Sequence, residues 1–186
     1  MRILIAALAV LLSVPAAART VEGVSLPETT TARDGSELVL HGAGVRTRFF
    51  FDIYVGALYL PATGQPATGI LESDQAGRVE MHFLYDEVGR EKLADAWRTG
   101  FRDNNPESVR SAIGDRLSAF VDFFPAAVEG DAFVMEYVPG EGTQVRVNGQ
   151  PRGTIEGDIF FRALLAVFLG PEPADQDMKQ GLLGRE

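Results

Sequence analysis

The sequence contains no cysteine, which excludes thiol nucleophiles, thiolate metal sites, iron–sulfur clusters and disulfide staples together. Histidine is almost as scarce. The two present, His41 and His82, fall in predicted strands with no second ligand at metal spacing, so they read as ordinary strand positions and no metal site is expected. There is no G-x-S-x-G elbow and no phosphate loop, and the GAG step at Gly42–Gly44 lacks a third glycine because Thr47 stands in its place. Basic residues are outnumbered, 17 Lys and Arg against 26 Asp and Glu, for a net charge of −9. That balance argues against a sequence-independent grip on nucleic acid or anionic lipid.

Long apolar runs are also missing after the first residues. Arg2, the apolar Ile3–Val14 and the small-residue step Pro15-Ala16-Ala17-Ala18 have the order of an export signal cut after Ala18, and a dozen apolar residues are too few to span a bilayer. Loss of residues 1–18 removes Arg2 and no acid, moving the net charge from −9 to −10. An exported chain without disulfides suits a bacterial periplasm. Residues 19–186 are expected to form one domain, since 46% hydrophobic content over this length supports a sizeable core.

Periodicity gives the order of elements. Thr20–Leu26 alternates and reads as a first strand ended by Pro27, with Ser36–His41 as a second. The glycines of the GAG step let the backbone turn or approach something closely. Pro61–Gly69 is turn-rich, a short helix covers Ile70–Ser73, and Arg78–Tyr85 alternates as a strand. Leu93, Trp97, Gly100 and Phe101 repeat at helical spacing from Glu91 to Asn104, with Asp95, Arg98 and Arg102 on the other side. The acids Asp86, Glu87 and Glu91 cluster at its start, where they favour the helix dipole. Asn105 is expected to cap a second helix opened by Pro106 and stopped by Pro125. The strands Asp131–Val138 and Thr143–Asn148 flank a PGEG turn, and Pro151–Glu156 adds a short extension. Asp158 is expected to cap a strongly apolar helix closed by Gly170 and Pro171, after which Ala174–Leu183 docks through Met178, Leu182 and Leu183. Strands, helices, hairpin and helix in that order fit an α+β domain with helices over an antiparallel sheet.

The stretch Gly42–Leu60, GAGVRTRFFFDIYVGALYL, is rich in strand formers and nearly free of acids. Arg46 and Tyr54 lie equidistant from Phe50. In one unbroken strand they would be roughly 26 Å apart, so sharing a ligand requires a hairpin or sharp bend between them. Three phenylalanines are poor turn chemistry. A charged arginine facing an apolar pocket demands an anionic partner, and a neighbouring phenol adds a further hydrogen bond, which makes a carboxylate or phenolate ligand plausible. From the residues alone the alternative stands that Arg46 and Arg48 pair with acids elsewhere or face water.

This stretch resembles the signature strand pair of the chalcone isomerase-like family, in particular an exported bacterial branch of it, and Gly153–Gly184 (GTIEGDIFFRALLAVFLGPEPADQDMKQGLLG) resembles that branch's closing helix and tail. The resemblance implies an open-faced β-sandwich, a large antiparallel sheet with helices packed on one face and a ligand cleft between them. It equates Arg46 with the arginine of the family's G-x-G-x-R motif, which in the plant enzymes guides closure of a phenolate onto an enone. Tyr54 stands where those enzymes carry threonine, as in the plastid fatty-acid-binding members of the fold. The enzymes also carry a helical tyrosine and asparagine seven residues apart, and Lys92–Gly100 contains neither.

The resemblance therefore implies a binder of a small apolar anion, fatty-acid-like, held by Arg46 and Tyr54, with no catalytic residue, cofactor, nucleic acid or stable membrane span expected. Three other readings remain open: an isomerase of the intramolecular lyase type on another substrate, a haem binder like some mitochondrial relatives, and a partner-binding protein. The oligomeric state is not readable.

Overall fold

A computed structural model describes residues 17–185. Residues 1–16, most of the expected export segment, lie outside the described residues. The strands are β1 (Ala18–Val21), β2 (Val24–Pro27), β3 (Thr29–Thr31), β4 (Glu37–Arg48), β5 (Phe51–Leu60), β6 (Gly77–Phe83), β7 (Glu87–Val88), β8 (Ala127–Val128), β9 (Ala132–Val138), β10 (Gly142–Val147) and β11 (Gln150–Ile155). The helices are α1 (Ala67–Glu72), α2 (Arg90–Asn104), α3 (Glu107–Asp122), α4 (Asp158–Leu169) and α5 (Gln176–Leu182). Seven strands form one curled antiparallel sheet in the order β11-β10-β9-β6-β5-β4-β3, and the helices pack on one side of it, as the α+β reading expects.

The alternation of side chains decides the two faces. Tyr54 and Leu58 of β5, Val79, Met81 and Phe83 of β6, and Phe133, Met135 and Tyr137 of β9 point into the helix-side core. Val55, Ala57 and Tyr59, one residue out of phase, join Leu26, Leu38 and Leu40 in a second, smaller core under the β1–β2 hairpin. Because β5 is covered on both sides, every residue from Tyr54 to Leu60 is buried and the strand reads as a continuous apolar run. Helix α4 packs against α1, α2, α3 and α5 and against β10, which is why nearly all its residues are apolar and buried.

Glycine sets how closely α5 sits. Gly42 and Gly44 lie on the helix-facing side of β4, and a Cβ on Gly44 would fall 2.6 Å from the Met178 carbonyl oxygen. The GAG step is thus a seat for the α5 backbone and not a turn.

Several local expectations are corrected. Thr20–Leu26 is not one strand but two, because Glu22 (φ 44°) and Gly23 (φ 78°) form a tight left-handed turn between β1 and β2. Asn105 does not cap α3. Its Nδ2 donates to the Phe101 carbonyl in the last turn of α2 and to the Ala163 carbonyl of α4, tying the two helices together, and extended Pro106 occupies the cap position. Asp158 does not cap α4 either: Gly157, at φ 90°, takes that position, and Asp158 accepts from Arg162 one turn on at 2.6 Å. The Pro151–Glu156 extension is a full edge strand, β11, paired to β10.

The sheet face away from the helices holds a charged cluster that periodicity does not reveal. Glu136 of β9 is completely buried, accepts from Arg78 Nε at 2.7 Å and Arg33 Nε at 3.2 Å, and lies 3.6 Å from Arg146. Arg78 also donates to Thr30 Oγ1 and the Thr31 carbonyl, so the interior charge is paired and its partners are tied to β3.

Candidate functional site

The β4–β5 hairpin closes through a two-residue turn, Phe49-Phe50, with Arg48 opposite Phe51. Phe49 adopts φ 59°, a left-handed conformation that costs a residue with a Cβ about 1–2 kcal/mol. The long β4–β5 ladder offsets that strain. Thr47 pairs with Asp52, but Arg46 pairs with Tyr54, so Ile53 is an extra residue bulged from β5. Its carbonyl accepts instead from Leu84 and Tyr85 beyond β6. The bulge re-phases the strand and sets tyrosine, not isoleucine, directly across from Arg46.

Tyr54 is buried at 2% exposure, packs its ring 5.5 Å from Phe83, and lies under the Arg46 guanidinium, whose carbon is 5.7 Å from the ring centroid. Burial pushes the phenol above its ordinary value near 10, the Arg46 charge opposing, so the group is a protonated donor at neutral pH. Arg46 is half-buried and not sealed at a pocket floor. Among the described residues it forms no ion pair, in contrast with Arg33, Arg78 and Arg146, which converge on Glu136. The nearby Asp175 is occupied: one oxygen accepts from Thr47 N at 3.2 Å and the other from Met178 N, capping α5.

A cavity opens beside this pair in two lobes, both bordered by Arg46, Arg48, Tyr54, Lys92, Leu93 and Ala96. The larger, about 560 Å³, runs over Met81, Trp97 and Gly100 to Val167 and Phe168 of α4 and the Pro173-Ala174 segment. The smaller, about 380 Å³, runs toward the hairpin tip between Phe51, Ile53, Phe83, Tyr85 and Val88. Both volumes lie in the range of roughly 300–1,000 Å³ typical of small-molecule sites. Charged and apolar side chains share the lining of the larger lobe, which includes the acids Asp95, Asp103 and Glu172, whereas the smaller lobe is mainly apolar; neither Arg48 nor Lys92 forms an ion pair among the described residues, while Asp95 is paired to Arg98 and Asp103 to Arg102.

Helix α2 presents Leu93, Ala96, Trp97 and Gly100 to the larger lobe, one helical stripe. Gly100 permits close approach to α4, since a Cβ there would stand 2.6 Å from Val167 Cγ1. Trp97, read from the sequence only as a core residue, is buried against Phe120, Phe124 and Phe168, and its indole N–H has no hydrogen-bond partner among the described residues. Lys92 was not singled out from the sequence. Its position one residue before the buried Leu93, at the edge of the apolar stripe, is the signal that marks it. Thr99 is the hydroxyl side chain of α2 at the cavity, and no Tyr or Asn stands in Lys92–Gly100.

Neither histidine borders these lobes. His41 accepts from Gln65 N through Nε2 at 3.0 Å, which leaves Nδ1–H to donate to the Leu182 carbonyl at 2.9 Å and fastens the end of α5 to β4. His82 meets Glu80 at 2.9 Å on the opposite sheet face. Among the described residues no group of three or more His, Asp or Glu side chains is arranged to hold a metal ion, and no helix is long and apolar enough to cross a membrane.

Comparison with known proteins agrees with this architecture. No curated protein matches the sequence. Among solved structures, the Arabidopsis thaliana fatty-acid binding protein aligns with a TM-score of 0.65 at 16% identity, covering 90% of this chain and 96% of that one, a likeness of fold. The chalcone isomerase-like family profile matches residues 18–184. With that match extending over almost the whole sequence, and the seven-stranded sheet and its one-sided helices in place, the chain belongs to the chalcone isomerase-like family.

Proposed function

We propose that this protein binds a small apolar carboxylate of the fatty-acid class, without turning it over. One observation carries the reading: Arg46, without an ion pair among the described residues, is held across from the protonated, buried Tyr54 beside a cavity that Met81, Leu93, Trp97 and Phe168 help to line. A carboxylate would accept from the Arg46 fork and the Tyr54 hydroxyl, while Met81, Leu93, Trp97 and Phe168 cover its hydrocarbon chain. The resemblance in fold to a fatty-acid binding protein supports this choice of ligand class. The absence of tyrosine and asparagine from Lys92–Gly100 favours binding over chalcone cyclisation, which needs polar groups at the enone oxygen. The apolar leader and lack of cysteine further support an exported, periplasmic protein of a bacterial branch.

Laurate titration tests the reading. Trp97 is the single tryptophan and borders the cavity, so its emission reports occupancy. Arg46→Ala removes a charge-assisted bond worth about 1.5–3 kcal/mol, which corresponds to roughly 10- to 150-fold weaker binding. Equal laurate affinity in wild type and Arg46→Ala would reject the assignment, and turnover of enones that collapses with Arg46→Ala would replace it with an isomerase. N-terminal mass analysis of the periplasmic fraction tests export, with Arg19 expected as the first residue.

A further inference from the structure

The hairpin tip exposes three consecutive aromatic residues: Phe49 at 82%, Phe50 at 97% and Phe51 at 55%. Turn formation does not call for them, since asparagine and glycine make such turns without the strain that Phe49 carries at φ 59°. Core packing does not call for them either. Phe50 is almost entirely in water, and Phe51 touches the body through the edge of Tyr85 at 5.5 Å. Residues that are costly to fold and costly to solvate are placed for what they meet outside the chain.

The shape and surroundings of the tip select the occupant. It is a convex point, which fits a deformable surface better than a flat rigid one. Arg48 stands over Phe49, 5.7 Å from its ring centroid, and Arg46 and Lys92 lie behind it at the cavity edge, three cations against the single acid Glu87 around an aromatic wedge. The smaller lobe begins between Phe49 and Phe51 and continues along Ile53 and Phe83 to Tyr54, so an apolar path leads from the tip to the proposed carboxylate site. We infer that the Phe49-Phe50-Phe51 tip docks on a phospholipid surface, inserting its rings among the acyl chains while Arg48 and Lys92 meet lipid phosphates, and that the smaller lobe is the route by which an acyl chain passes between that surface and the cavity. The preference for a lipid surface over a protein one rests on the fatty-acid reading of the cavity; the exposure of the tip does not. The overall charge of −9 does not oppose docking, because the driving contact is apolar and long-range repulsion is screened beyond about 8 Å at physiological salt.

Co-sedimentation of the mature protein with phosphatidylcholine vesicles tests the inference. Wild type is expected in the lipid pellet, and Phe50→Ser, which removes a side chain that packs on nothing, is expected to bind at least about tenfold more weakly while melting like wild type. Phe50→Trp should keep vesicle binding and show an emission blue shift on lipid that Trp97, at 4% exposure, does not show in wild type. Wild type remaining in the supernatant, or Phe50→Ser binding vesicles as well as wild type, would overturn the docking. Self-association through the tip without vesicle binding, seen by sedimentation velocity and lost in Phe50→Ser, would overturn it in favour of a protein contact. Laurate affinity in vesicle-free solution separates the two proposals: wild type that ignores laurate yet pellets through Phe50 keeps the docking and discards the ligand, and wild type that binds laurate yet ignores vesicles does the reverse.

Discussion

Replacing Gly44 with alanine puts the close approach of α5 to a direct test. The added Cβ would lie 2.6 Å from the Met178 carbonyl oxygen and 2.8 Å from Met178 Cα, both backbone atoms that no rotamer change moves aside. Either α5 lifts or β4 bends. Overpacking of this kind costs about 1–3 kcal/mol, and with backbone on the receiving side the upper end applies. At about 2–4 °C per kcal/mol for a chain of this size, the melting temperature should fall on the order of 6–12 °C. Gly114→Ala is the matched control, because Gly114 lies inside α3 with nothing within 4 Å of the new atom. Its gain in helix propensity, about 0.5–1 kcal/mol, should raise the melting temperature by about 1–4 °C. Calorimetry on the two variants reads opposite signs if the seat is real. Since Asp175 caps α5 and also accepts from Thr47, next to Arg46, lifting α5 should weaken laurate binding in Gly44→Ala and leave it unchanged in Gly114→Ala. If Gly44→Ala melts with wild type, α5 is not seated as described and the reasoning fails.

Two further outcomes follow from buried groups. Glu136→Ala leaves Arg78 and its neighbours facing an unpaired interior site, so urea unfolding should show a loss of about 3–5 kcal/mol; a loss within the usual surface range of about half a kcal/mol would mean that water reaches the cluster. Tyr54, Tyr59 and Tyr137 all have their phenols raised above the ordinary value near 10, desolvation being the largest cause in each. The unfolded chain then loses protons before the folded one, so stability is fully present below pH 10 and drains away as pH rises beyond it; Tyr54→Phe should flatten that alkaline loss, and an identical slope in the variant would show the ring to be solvated.

Arg46 and Tyr54 are equidistant in sequence from Phe50, a symmetry that the turn itself does not possess. A two-residue turn at Phe49-Phe50 pairs Arg48 with Phe51 and Thr47 with Asp52, and unbroken alternation would have set Ile53 against Arg46. The Ile53 bulge restores the match. Nothing in the local pattern announces a bulge, since β-branched isoleucine is an ordinary strand residue. The helix stripes of α2 and α4 were legible because burial repeats at the helical period. The caps at Asn105 and Asp158 were not, because a polar side chain at a helix junction has several donors and acceptors within reach and the sequence does not say which it meets. The Glu136 cluster was invisible for a related reason: its arginines come from three separate segments, and their convergence exists only once the strands are paired.

That convergence has a consequence for how the chain selects its strand alignment. Shift β9 by a single residue and Glu136 would swing among Phe133, Met135 and Tyr137's neighbours on the greasy side, while three guanidinium groups would be stranded on the other. The cluster therefore works as a key that fits one alignment of β6, β9 and β10 and rejects its nearest competitors, a discrimination that aliphatic side chains at the same positions would supply far less sharply.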